Sequence, residues 1–268
     1  MRKDFAPMVS VRILKSLAAA AVVALGLNAP AMAAGDAEHA PAVNWSFNGP
    51  FGTFDRAELQ RGYQVYKEVC AACHAMKFVA FRNLADVGGP GFTAAEVKAL
   101  AATFEVNDGP NDDGDMFKRP GLPQDKFPSP FPNEKAARAA NGGAYPLDLS
   151  LIAKARAQGP DYISALLGSG YTQPPAGFAL GEGLHYNKYF PGFQIAMPKP
   201  LNADQVTYAD GTKATVEQMA HDVAAFLMWT AEPKLEERKR MGLKVMIFLV
   251  VLTGLFLAAK KRIWKDLH

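Results

Sequence analysis

The chain has 268 residues, of which 49% are hydrophobic, 21% charged and two cysteine. That balance excludes a disordered chain, a collagen-like repeat and a small disulfide-stapled scaffold. The net charge of +3 conceals three regions: residues 1–33 carry four basic groups and one acid, residues 34–233 carry 16 against 22, and residues 234–268 carry nine against three.

Arg2, Lys3, Arg12 and Lys15 precede the apolar run 17–27, which leads into Ala31-Met32-Ala33. Basic groups, a short apolar stretch and a small-residue cleavage site make the pattern of a secretory signal. An 11-residue run is too short to cross about 30 Å of hydrocarbon. Residues 1–33 are therefore expected to be a cleaved signal peptide, and residues 34–233 an exported head. Asp55-Arg56-Ala57-Glu58 reads as a capping box that opens a helix. Leu59, Tyr63, Tyr66, Cys70 and Cys73 follow at helical spacing, and Gly62 leaves a flat spot on the same face.

Further helices are expected over 93–103, 148–157 and 161–167, the last two parted by Gly159-Pro160. Another begins at Thr215, with Gln218 three on, and runs through Met219, Val223, Phe226, Leu227 and Thr230 to a stop at Pro233. The stretches 107–132 and 173–200 are rich in Gly and Pro and do not alternate as strands do. Loops that long need something to hold them, and a large rigid cofactor would serve. Beyond the head, residues 245–259 are an unbroken apolar and neutral run. Met241, Gly242, Leu243 and the lone Lys244 extend it to 19 residues, enough for one tilted transmembrane helix. Lys260, Lys261, Arg262 and Lys265 follow at once. Basic groups flank both ends, so export of the head is what leaves the short tail in the cytoplasm. Residues 234–268 are thus a membrane anchor with its span at about 243–259, and the fold expected is all-α.

Cys70-Ala71-Ala72-Cys73-His74 carries the chemistry, because C-x-x-C-H is the attachment signature of covalent haem. Side chains three apart on a helical turn share a face, which suits two thiols meeting the two vinyl-derived carbons of one porphyrin. The next residue can then bring an imidazole nitrogen to the iron. A thioredoxin-like motif would follow a strand and carry a lowered thiol pKa, whereas a helix precedes this one. A zinc site would want four ligands, and no second Cys or Cys/His pair stands at a suitable spacing. One covalently bound haem c is expected, and no cysteine is left for a disulfide.

The opposite face of the iron decides what the haem does: an open position invites O₂ or peroxide, and a thioether closes it and raises the potential. Met76 is too near His74 to reach that face. Met116 lies beside Asp112-Asp113-Gly114-Asp115, Met219 and Met228 belong to the last helix of the head, and Met241 and Met246 to the membrane segment. Met197 stands in Gln194-Ile195-Ala196-Met197-Pro198-Lys199-Pro200, a loop stiffened by two prolines 123 residues after His74. Three readings stay open: Met197 as ligand, Met197 as an ordinary buried methionine, and His185 as ligand in its place. His221 is expected on the solvent side of its helix. Propionates need cations or donors; Arg156 and Tyr162 on the paired short helices are the candidates, with Arg119 behind them. Asp108, Asp112, Asp113 and Asp115 read either as a solvated loop or as a negative patch toward a basic partner.

Residues 70–74, Arg156 with Tyr162, Tyr186-Asn187-Lys188-Tyr189-Phe190-Pro191-Gly192, Met197-Pro198, and Ala231-Glu232-Pro233 ahead of Arg238-Lys239-Arg240-Met241-Gly242 resemble cytochrome c1. That family is the haem-bearing, membrane-anchored subunit of the cytochrome bc1 complex, the ubiquinol–cytochrome c reductase. The resemblance runs from about Trp45 to the C-terminus. It implies a class I cytochrome c-like haem domain with long loops. Cys70 and Cys73 would be the thioether anchors, His74 and Met197 the axial ligands, and Arg156 and Tyr162 the propionate partners. It further implies a dimeric complex with cytochrome b and the Rieske iron–sulfur subunit, from which one electron passes to a soluble or tethered cytochrome c. The setting implied is a bacterial inner (cytoplasmic) membrane with the head on the periplasmic side. Such a chain has no catalytic residues of its own and no nucleic-acid partner. The alternative with the same motifs is a free-standing membrane-anchored cytochrome c delivering electrons to a terminal oxidase.

Overall fold

The structure, a computed structural model, describes residues 37–267. The expected signal peptide lies outside them. Helix α1 spans Arg56–Glu68 and is capped as expected by Asp55, whose carboxylate accepts from the N–H groups of Ala57 at 2.9 Å and Glu58 at 3.2 Å. The second half of the capping box does not form: the Glu58 carboxylate turns inward to His221, 2.9 Å away. A reciprocal box closes instead at α2, Ala94–Ala101, between Thr93 and Glu96.

The helix expected from Thr215 is α6, Val216–Ala231, once α3 (Glu134–Ala140), α4 (Ile152–Ala155) and α5 (Pro160–Gly168) are counted before it. Thr215 caps it by accepting from Gln218 N–H at 3.1 Å. The centre of the head is the crossing of α1 and α6. Gly62 makes it possible, because a Cβ there would lie 2.1 Å from the Asp222 carbonyl oxygen and 2.7 Å from Phe226 Cβ. Leu59, Tyr63 and Tyr66 of α1 bury against Val223, Phe226 and Trp229 of α6, and α5 packs onto the same helix at Gly168 and Ala220. The buried charge at the crossing is paired, while the Tyr63 hydroxyl and Trp229 Nε1 are buried there without a hydrogen-bond partner among the described residues. Arg61 donates to both oxygens of the fully buried Asp222 at 3.0 and 3.1 Å, and Gln218 adds a bond at 3.0 Å.

Three expectations need correcting. The head is mostly helical, but the long loops are braced by strands as well. Glu105–Asp108 (β1) pairs antiparallel with Phe117–Pro120 (β2), and His185–Tyr186 (β3) with Gln194–Ile195 (β4). Arg119 braces the first ribbon through ion pairs to Asp108 and to Asp125, the latter at 2.6 Å. Charged side chains and two-residue strands hide the period-two pattern, so these stretches do not depend on a cofactor alone. The helix expected over 148–157 is reduced to the single turn α4: it ends at Arg156, whose backbone is extended, and before it Leu149 N–H donates to the Ala75 carbonyl at 2.8 Å. His221 is not simply on the solvent side either: it stacks on Trp45 with ring centres 4.4 Å apart and pairs with Glu58.

Helix α7, Leu235–Ile263, is the membrane anchor. Its 29 residues rise about 44 Å, and its apolar window buries nothing against the protein.

Candidate functional site

Helix α1 ends where the chemistry begins. A tight 3₁₀ turn, Cys70–Ala72, follows, and the Cys70 carbonyl accepts from both Cys73 N–H at 3.1 Å and His74 N–H at 2.9 Å. In a 3₁₀ turn residues i and i+3 eclipse, so the turn aligns the two cysteine side chains more closely than an α-helix would. Neither cysteine is in a disulfide.

A strap from the middle of the chain holds the next five residues. His74 Nδ1 lies 2.7 Å from the Leu147 carbonyl oxygen. Leu149 N–H donates to Ala75 O, Lys77 N–H to Asp148 Oδ2 at 2.9 Å, and Phe78 N–H to Ser150 Oγ at 3.1 Å. A carbonyl can only accept, so Nδ1 carries the proton and Nε2 presents a bare lone pair. Burial lowers the His74 pKa, against the opposing pull of the Leu147 carbonyl and Asp148. Burial thus favours the neutral imidazole, the form that binds a metal.

Burial also pushes the Cys70 thiol up to about 12, with Cys73 adding to it. That is the reverse of a thioredoxin-like thiol, whose pKa must fall. Cys70 and His74 are desolvated by surrounding protein yet keep accessible surface.

Cys70, Ala71, Leu149, Ile152, Tyr162 and Met197 all rest on the same central core. Met197 follows β4 and is half-buried. Its carbonyl accepts from the Tyr171 hydroxyl at 3.0 Å. Burial raises the Tyr171 phenol pKa, so the group stays a donor. Asn187, fully buried, ties this region to α5 by donating to Leu166 O at 2.9 Å and accepting from Tyr189 N–H at 3.1 Å. Gly170 is required beside it, since a Cβ would fall 2.4 Å from Asn187 Oδ1. His185, the rival ligand, is exposed on β3. Met76 and Met219 are buried in the core, and Met116, Met241 and Met246 are exposed.

Arg156 caps α4 from an exposed position, makes no ion pair among the described residues, and is near enough to Tyr162 to lower the phenol pKa against the larger effect of burial. Arg119, by contrast, is occupied by Asp108 and Asp125. Glu58, His221 and Asp222 bring their ligand atoms within 4.8 Å of one another, but Arg61 and Gln218 already satisfy Asp222. That group is an ion-pair network of the helix crossing. Sequence reasoning missed Tyr171, Asn187 and the Leu147 strap; the Gly170-Tyr171 step was the one legible hint, and a backbone carbonyl leaves none.

A mostly helical head with long braced loops, presenting a Cys-Ala-Ala-Cys-His turn and tethered by one apolar helix, is a c-type cytochrome on a membrane anchor. A family model described as the cytochrome C1 family matches residues 45–267. The chain is 53% identical over 271 residues to "Cytochrome b/c1" of Bradyrhizobium diazoefficiens, covering 94% of this chain and 39% of that protein. It is 50% identical over 266 residues to "Cytochrome c1" of Rhodospirillum rubrum, covering 93% and 96%. With "Cytochrome c1 1, heme protein, mitochondrial" of Arabidopsis thaliana it shares 53% identity over 233 residues, 86% of this chain and 74% of that one. The chain belongs to the cytochrome C1 family.

Proposed function

We propose that this chain is the haem-carrying subunit of a cytochrome bc1 complex, taking single electrons from a Rieske iron–sulfur subunit and handing them to a soluble or tethered cytochrome c. When bound, haem c supplies a one-electron Fe(III)/Fe(II) couple. The chain's own residues do the rest. Cys70 and Cys73 hold the group by thioether bonds. His74 ligates through Nε2, and its Nδ1–H bond to Leu147 fixes the ring and makes the imidazole a stronger donor. Met197 supplies a neutral, soft thioether that favours the reduced metal. Arg156 and Tyr162 receive the propionates.

If His74 and Met197 both hold the metal, no place would be left for a substrate, and the chain would carry electrons without being an enzyme by itself. Helix α7 keeps the head beside cytochrome b and the Rieske subunit in a dimeric assembly, on the periplasmic side of a bacterial cytoplasmic membrane. Asp112, Asp113 and Asp115 are exposed and give a basic cytochrome c a negative face to approach.

The observation that carries this reading is His74, its Nδ1 2.7 Å from the Leu147 carbonyl oxygen, set directly after the Cys70–Ala72 turn in a chain of the cytochrome C1 family. The test is an alkaline pyridine spectrum of the purified chain, joined with Met197→Leu. A haem c spectrum is expected, with Met197→Leu losing the thioether–iron absorption, lowering the potential and opening the reduced protein to carbon monoxide. A colourless chain with both thiols open to alkylation overturns the reading. Purification from membranes without cytochrome b or a Rieske subunit moves it to a free-standing cytochrome serving a terminal oxidase.

A further inference from the structure

Phe51 and Val87 are 75% and 83% exposed, in two different loops. Both loops fasten onto the first turns of α7. Lys239 Nζ donates to the carbonyls of Phe47 at 2.6 Å and Gly52 at 3.2 Å, and Phe54 N–H donates to Glu236 Oε1 at 3.0 Å. This straps the loop carrying Phe51 across the helix. Arg56 does the same for the loop carrying Val87, donating to Gly88 O at 2.7 Å and to the Glu236 carboxylate at 2.9 and 3.0 Å. Glu236 and Lys239 are three apart and share one face of α7.

The heights follow from helix geometry. From Lys239 to Leu243, at the start of the apolar run, is a rise of about 6 Å. Each interfacial layer outside the hydrocarbon is about 5–7 Å deep. When residues 243–259 fill the hydrocarbon, the strap at Lys239 stands at the level of the lipid headgroups and the one at Glu236 stands about 10 Å from the hydrocarbon, at their outer edge. Arg240 and Lys244, exposed on the same turns, make no ion pair among the described residues and lie where lipid phosphates are.

We propose that Phe51 and Val87 are interfacial anchors that seat in the headgroup–acyl boundary of an anionic phospholipid bilayer beside α7 and set the tilt of the head over the membrane. A protein partner matches the surface less well. A specific interface covers about 800 Å² on each side, whereas Phe51 stands among the exposed Asn48, Gly49 and Pro50.

The proposal rests on α7 spanning the bilayer, and the experiment reports that separately. Full-length holoprotein is placed in phosphatidylcholine–phosphatidylglycerol vesicles containing a phospholipid with a diazirine near the top of its acyl chain, irradiated and digested. Lipid adducts are expected on the peptides holding Phe51 and Val87 as well as on α7. Phe51→Asp, at an exposed site that leaves the fold intact, is expected to reduce adducts on its own peptide several-fold and leave those on α7 unchanged. Adducts on α7 with none on either loop overturn the proposal and leave the span standing; none on α7 overturns both. In native membranes, loops joined to a second polypeptide in place of lipid overturn the lipid assignment.

Discussion

Gly62→Ala tests the helix crossing on which the haem site is built. The new Cβ would stand 2.1 Å from the Asp222 carbonyl oxygen and 2.7 Å from Phe226 Cβ, about 1 Å inside normal carbon–oxygen contact. The obstacle is helix backbone, which cannot rotate away, so α1 and α6 must separate. A gap of about 0.5–1 Å forfeits a quarter to a half of the dispersion attraction between facing atoms. Overpacking costs about 1–3 kcal/mol, and a backbone clash belongs at the top of that range. Alanine's better helix propensity recovers about 1 kcal/mol, leaving a net loss of about 2 kcal/mol. For a head of this size that lowers Tm by about 4–8 °C. The assay is calorimetric unfolding in detergent at one scan rate, with Gly242→Ala as the control, since that position on α7 has open space around it. If Gly62→Ala melts with or above the wild type, helix propensity has outweighed packing and the crossing is not as close as described.

Tyr171→Phe removes only the hydroxyl that donates to the Met197 carbonyl. A lost hydrogen bond of this kind costs about 0.5–1.5 kcal/mol, so the equilibrium between ligated and displaced Met197 is expected to shift about 2- to 10-fold toward displacement. The thioether–iron absorption followed against temperature checks this, and an unchanged curve would show that Tyr171 does not position the loop. A pH dependence is expected from His221, whose pKa is raised by its bond to Glu58, with burial opposing and Asp222 assisting. The folded form prefers the charged imidazole, so the stabilisation is full below the unfolded pKa of about 6.5. It is lost as pH rises through the higher folded value. Denaturant midpoints should therefore fall as pH rises above about 6.5 in the wild type and stay flatter in His221→Gln; parallel profiles would refute the pairing.

The parts of the head legible in the sequence are those whose cause is local. Asp55, Thr93 and Thr215 cap their helices because a short oxygen side chain meets N–H groups two or three residues on. Gly62 is readable as a flat spot because its neighbours on the helix face are apolar. The Cys-Ala-Ala-Cys-His turn declares its chemistry through adjacent residues, and α7 declares itself by length and composition.

What escaped the sequence lies in partners far along the chain. Nothing local to Glu58 shows that it will abandon its own helix cap for His221, 163 residues away. The ribbon around Arg119 carries charges where alternation would show, and it depends on Asp108 and Asp125 for support. By itself, then, the sequence determined the helix starts, the thiol pair with its histidine, and the apolar anchor, because each is a property of residues within one or two turns. Tertiary structure alone decided which nitrogen of His74 is bare, what steadies the loop of Met197, and which loops grip the stem of α7. Those depend on a carbonyl, a phenol and an ammonium brought together by packing, and no spacing along the chain encodes that meeting.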